Sequence, residues 1–196
     1  FIEWYTTSPS WPGYVIPASI LDWPAHGDVT VGSSFYLAPF IDYDSNGSYE
    51  PGNGDYPDIK GDFCAFTIYN DKGNIHQASG ADPIGLEIHQ MVYGYITSPL
   101  CSYHSALHST LFVDRRIINR STQTLTNFSM SIFMDPDLGN NSDDFVGCDV
   151  DRSMIYAYNG DTFDEGAAGY GSNIPAMGLM ILEGIGQNST GIDNMF

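Results

Sequence analysis

The chain has 196 residues, 42% of them apolar and 14% aromatic, enough material for one sizeable core. Its 24 acidic residues outnumber 6 basic ones, and the formal net charge of −18 excludes the clustered Lys and Arg that nucleic-acid binding requires. An anionic membrane surface is disfavoured on the same ground, and no run approaches the ~20 apolar residues of a membrane span.

In chain order, the opening FIEWYTTSPSW lacks an initiating Met and reads as if already inside a domain. Together with the ending GQNSTGIDNMF, it suggests a processed form or one ordered region of a longer secreted chain. Residues 1–40 are rich in Trp and Pro and aperiodic; they are expected to wrap a sheet edge, with DWPAHGD (22–28) as a turn. FCAFTIYND (63–71) then alternates Phe63, Ala65, Thr67 and Tyr69 against Cys64, Phe66 and Ile68. GLEIHQMVYGYIT (85–97) puts Leu86, Ile88, Val92 and Ile96 on one face. STLFVDRRIINRS (109–121) and LTNFSMSIFM (125–134) read as adjacent strands, the second burying Phe128, Met130, Ile132 and Met134. SMIYAYNGD (153–161) and AMGLMILEG (176–184) add two more. With 21 Gly and 11 Pro marking turns, the expected fold is all-β, a single antiparallel β-sandwich over 1–196 with an irregular N-terminal segment and long calcium-binding loops.

The most informative loop is IDYDSNGSYEPGNGDYPDI (41–59). Calcium takes six to eight oxygen ligands, and alternating Asp and Asn in a tight loop can converge on one ion. Asp42, Asp44, Asn46, Gly47 and Ser48 match positions 1, 3, 5, 6 and 7 of an EF-hand loop. Position 12 is Asn53, which has no carboxylate, so Glu50 or Asp55 must complete the shell; the flanks read as strand and turn, not helix. A second oxygen-rich loop, DPDLGNNSDDFVGCDVD (135–151), offers Asp135, Asp137, Asp143 and Asp144 around Gly139, and such a concentration of carboxylates repels unless a cation sits among them. GDTFDEG (160–166) is a weaker third group.

Enzyme signatures are sparse. Glu87 and His89 share a strand face, and His26, His76, His104 and His108 could join them only through tertiary contacts. There is no H-E-x-x-H, G-x-S-x-G or P-loop. Trp4, Trp11, Trp23, Tyr5 and Tyr14 suggest a sugar-stacking platform or, more simply, edge cover. Arg115, Arg116 and Arg120 are expected to pair with surplus carboxylates, the first two on opposite faces. Of three cysteines, Cys64 falls among apolar neighbours; if a bridge forms, Cys101 and Cys148 are the expected pair.

Several blocks carry a resemblance: FIDYDSNGSYEPGNGDYPDIKGD, FTIYNDKGNIHQASG, PIGLEIHQMVYGY, RRIINRS and MDPDLGNNSDDFVGCDVDRSMIYAYNGD, in that order from about Asp22 to Ala176. They resemble large secreted surface proteins of Bacteroidota, many of which end in a type IX secretion sorting domain. The resemblance implies export, an extracellular or cell-surface location and β-rich modules with calcium loops; it implies no catalytic set. The combined expectation is a secreted, calcium-stabilised structural or adhesive module, such as a filament or surface-layer building block, with calcium as its ion and self-association or surface glycan as partner. The alternatives are an extracellular metal-assisted hydrolase using Glu87 and His89, and a glycan-binding module.

Overall fold

The computed structural model describes residues 13–73, 76–96 and 104–184, and its contacts divide the chain into two compact units, Phe1–Thr126 and Asn127–Phe196, where the sequence suggested one domain. Both are built on antiparallel strands, so the chain is all-β; among the described residues helix is limited to α1 (Ala18–Leu21), α2 (His104–His108) and two 3-10 turns at Val29–Val31 and Pro51–Asn53.

In the first unit, β1 (Phe40–Ile41) pairs with β2 (Tyr56–Pro57) in the register Phe40↔Pro57 and Ile41↔Tyr56. This short ladder closes the acidic loop, because the next positions inward are Asp42 and Asp55. The larger sheet is a meander of β3 (Phe63–Asn70), β4 (Leu86–Gly94) and β5 (Phe112–Asn119). Its register places Cys64, Phe66 and Ile68 on one face with Tyr93, Met91, His89 and Glu87, and with Phe112, Asp114 and Arg116. The alternation of apolar residues anticipated all three strands. The 71–85 connection is fastened by Asp71, whose carboxylate accepts from the backbone N–H groups of Ile84 (2.7 Å), Gly85 (3.1 Å) and Leu86 (2.9 Å).

Between Gly13 and β1 the irregular segment packs against one face of this sheet. Trp23 packs its ring 5.6 Å from Phe66 and donates Nε1–H to the Pro39 carbonyl at 2.9 Å. Tyr36, Leu37, Ala38, Pro39 and Phe40 face Phe66, His89 and Met91 across a cavity of about 590 Å³.

The second unit holds β6 (Asp144–Asp149), β7 (Met154–Asn159) and β8 (Ala176–Met180), again a meander. Its register makes both faces apolar. Phe145, Tyr158, Tyr156 and Met154 share one, while Val146, Ala157, Met177, Ile155 and Leu179 share the other. The expected strand at 125–134 does not form: Asn127 sits at φ 53, which breaks an extended run at its start, and no ladder partner faces the segment among the described residues. Met130 and Ile132, expected to be buried, are exposed. No helix among the described residues is long and apolar enough to cross a membrane.

Candidate metal centre

The loop between β1 and β2 folds around its own carboxylates. Asp42 Oδ2 accepts from Gly47 N at 2.7 Å and its Oδ1 from Asn46 N at 3.2 Å. The Gly47 N–H holds the Asp42 carboxyl below its ordinary range, against the smaller opposing effect of burial. Asp44 Oδ1 also accepts from Asn46 N at 3.1 Å, and Asn46 Oδ1 accepts from Ser48 N at 2.7 Å. These are Asx turns, the local reason an Asp/Asn/Gly sequence curls here. Gly47 adopts φ +82, and a Cβ there would stand 3.0 Å from the Tyr36 hydroxyl, so glycine meets both the backbone conformation and the close approach.

Asp55 enters from the far end of the loop. Only 1% exposed, it accepts from Tyr43 N at 2.9 Å and Glu50 N at 2.7 Å, tying both shoulders of the loop to the β1–β2 ladder. Asp42, Asp44 and Asp55 each thereby present a carboxylate oxygen, all three within 4.8 Å of one another. Calcium–oxygen distances of about 2.3–2.6 Å allow ligands on opposite sides of one ion to lie up to about 5 Å apart, so the three atoms fit a single calcium shell. Asn46 Nδ2 lies 3.0 Å from Asp44 Oδ2 and 2.8 Å from Glu50 Oε2, placing Glu50 at the rim of the cluster. Ser48 is at the turn, with its backbone carbonyl the expected donor. Of the two candidates for closing the loop, Asp55 is the one inside.

His26 contributes in a way that its position in the sequence did not suggest. Its Nε2 accepts from Tyr49 N at 2.8 Å, leaving Nδ1 to donate to the Phe35 carbonyl at 3.2 Å. The Tyr49 hydroxyl in turn donates to the Ile20 carbonyl at 2.7 Å. Burial, with the neighbouring Asp55 charge, pushes the Tyr49 phenol well above its ordinary pKa. The aromatic cover formed by Phe35, Tyr36, Phe40 and His26 thus holds the loop from one side. Only Asp42, Asp44 and Asp55, among the described residues, form a group of three or more His, Cys, Asp or Glu placed to hold a metal.

The second acidic loop is arranged differently. Asp135 and Asp137 are exposed, while Asp143 and Asp144 lie half-buried at the start of β6. Gly139, at φ +76, makes the bend; a Cβ there would fall 2.0 Å from Asp164 Oδ2. Asp164, from the weaker GDTFDEG group, is 1% exposed and accepts from Asn140 N at 2.9 Å and Tyr170 N at 2.7 Å. It serves as the internal staple of this loop.

Glu87 and His89 are paired with each other, His89 Nε2 lying 2.8 Å from Glu87 Oε1, and Arg120 Nη2 reaches the same oxygen at 2.7 Å. His89 is only 5% exposed. Arg120, first among its influences, holds the Glu87 carboxyl below its ordinary range. This is the geometry of a structural pair cross-linking β4 to the end of β5. Arg115 instead donates to Gln90 Oε1 at 2.7 Å, and Arg116 lines the cavity with Lys60 and Asp114, which bind each other. Cys64 and Cys148 are free thiols, burial pushing the Cys64 pKa up; Cys101 lies outside the described residues. Trp4, Tyr5 and Trp11 also lie outside them, and Trp23 is engaged with Phe66. No family model, curated protein or solved structure matches the chain.

Proposed function

We propose that this chain is an exported, calcium-stabilised β-sandwich module with a structural or adhesive role at a cell surface, of the kind found in secreted Bacteroidota surface proteins. The observation that carries the reading is the convergence of Asp42, Asp44 and Asp55 within 4.8 Å in a loop whose remaining hydrogen bonds are already made. Calcium there neutralises part of a −18 chain, which at low ionic strength otherwise opposes its own compactness. Exposed apolar residues on both faces of β6–β8, Phe145 on one and Val146 on the other, suit assembly into a surface layer or filament.

The test is thermal unfolding with calcium and with a calcium-selective chelator at low salt. An ion at 100 times its dissociation constant contributes about 2.7 kcal/mol, corresponding to roughly 5–10 °C for a chain of this size. We expect chelation to lower Tm by that amount and magnesium to restore little, since it demands a smaller octahedral shell. A melting curve unmoved by chelator would reject the calcium reading. Native mass measurement of the calcium-loaded protein over a concentration series separates an assembling module from one that stays monomeric.

A further inference from the structure

At the start of β6 in the second unit, four side-chain oxygen atoms are enclosed and lack any hydrogen-bond partner: both carboxylate oxygens of Asp143, Oδ1 of Asp144 and Oδ1 of Asn159. Asn159 is 8% exposed. It stands directly opposite Asp144 in the β6–β7 register, so the two side chains project from the same face, with Cβ atoms about 4.5–5.5 Å apart. Asp143 immediately precedes the strand and is locked to β7 through its carbonyl, which accepts from Gly160 N at 2.8 Å. Asp144 Oδ2 is held by Leu138 N at 2.8 Å, which fixes the rotamer and leaves Oδ1 as the unsatisfied atom. The Asn159 amide nitrogen reaches Asp161 Oδ1 only at 3.5 Å, and Asp161 Oδ1 already accepts from Phe163 N at 2.8 Å.

All four atoms are acceptors, so none can satisfy another, and two belong to a carboxylate with no bond at either oxygen. Enclosed water could donate hydrogens to them but would leave the negative charge of Asp143 and Asp144 uncompensated in a poorly solvated place. A cation supplies both needs at once. The donors are oxygen only, carboxylate and amide, which suits a hard ion of flexible coordination and excludes a thiolate- or imidazole-seeking metal. We propose that the second unit binds its own calcium ion at the end of the β6–β7 ladder, on the face that Asp144 and Asn159 share, through Asp144 Oδ1 and Asn159 Oδ1. This site stands on the orphaned oxygens and does not depend on the first loop. Asn159, a strand residue outside both acidic loops, becomes a ligand, while Asp135 and Asp137 do not.

The full chain is titrated with calcium alone by calorimetry and native mass spectrometry, alongside Asp42→Asn/Asp44→Asn, Asp144→Asn and Asn159→Asp. Asp144→Asn should lose the second-unit ion or weaken it about tenfold or more while retaining the first. Asn159→Asp should lower the calcium-free Tm, because it adds a third enclosed charge, and should bind calcium more tightly than the parent. If Asp144→Asn fails to fold, Asn159→Asp decides alone, since only a ligand position turns an added buried charge into a gain in calcium affinity. Calcium stoichiometry and affinity unchanged in both variants would overturn the proposal, even if Asp42→Asn/Asp44→Asn abolishes an ion. The opposite pattern would leave this site standing and reject the first.

Discussion

The two oxygen-rich regions differ in how far the chain satisfies them by itself. In the 42–55 loop the three converging carboxylates are each met by backbone N–H groups: Asp42 by Asn46 and Gly47, Asp44 by Asn46, Asp55 by Tyr43 and Glu50. At the β6 start, Asp144 has one such bond through Leu138, and Asp143 has none at either oxygen. The first loop is therefore organised by its own backbone N–H groups, and an ion bound there would meet a geometry that already exists. In the second region the carboxylates keep oxygens without a partner, which would oppose folding unless something positive joined them. A local sequence pattern specifies the first arrangement, whereas only the tertiary fold creates the second.

The largest effect expected from breaking this contrast is at Asp55. Asp55→Ala leaves the Tyr43 and Glu50 N–H groups without their acceptor in a buried place and should cost about 3 kcal/mol or more even in chelator, and more still in calcium, where a ligand is lost as well. Equilibrium urea unfolding measures it; a loss confined to calcium-containing buffer would mean that the loop is not self-organised. Next comes Gly139→Ala. Its Cβ would land 2.0 Å from Asp164 Oδ2 on a backbone at φ +76, so either the Asn140–Asp164–Tyr170 staple breaks or the turn shifts. A cost of about 2–3 kcal/mol is expected, roughly twice that of Gly47→Ala, where the clash is only with the end of a Tyr side chain. Equal costs would show that the Asp164 contact is dispensable. A smaller and sign-changing effect is expected at Asp144. In chelator Asp144→Asn removes a charge whose Oδ1 has no partner and should stabilise by up to about 1 kcal/mol; in calcium it should destabilise. Destabilisation of the same size in both buffers would erase the distinction between the two regions.

How much of this was legible follows the same division. Strands β3, β4, β5, β7 and β8 announce themselves through period-2 alternation, and the first loop through Asp42, Asp44, Asn46 and Gly47 in register. β6 reads as loop because DDFVGCD is bounded by Asp144 and Asp149 and its interior is apolar on both sides, so no alternation shows. The reverse error occurs at 125–134, where Phe128, Met130, Ile132 and Met134 alternate well but Asn127 turns the chain and no partner strand arrives. Pairing is a tertiary decision, and a good pattern without a neighbour remains unpaired. Asp55 can be named from sequence as a candidate but is selected by the Ile41↔Tyr56 register, which brings positions 42 and 55 together. Asn159 cannot be found from sequence, because its demand for a partner arises from standing opposite Asp144.

The smallest expected effect concerns Glu87, a carboxylate in the first unit that is satisfied by side chains instead of backbone. Arg120 Nη2 at 2.7 Å and His89 Nε2 at 2.8 Å meet at one oxygen, and the Glu87 pKa falls below its reference of 4.5, chiefly through the Arg120 hydrogen bond. A carboxyl that is more acidic when folded than when unfolded adds stability above its unfolded value. That contribution fades as pH drops through the folded value, because both states are then protonated. Arg120 is 42% exposed, so solvent screens the pair, and the expected contribution is only about 0.5–1 kcal/mol. Arg120→Ala should therefore be less stable than the parent by that amount at pH 6, and the gap should close as pH falls below 4.5. Asp71 and Asp42 also carry lowered values in this unit, so both proteins lose stability in acid and the informative quantity is their difference. Urea midpoints from pH 6 to pH 3 give it directly. A gap that stays constant across that range would mean that Arg120 acts through packing alone. A gap that widens in acid would reverse the sign and reject the pairing of Glu87 with Arg120 as its basis.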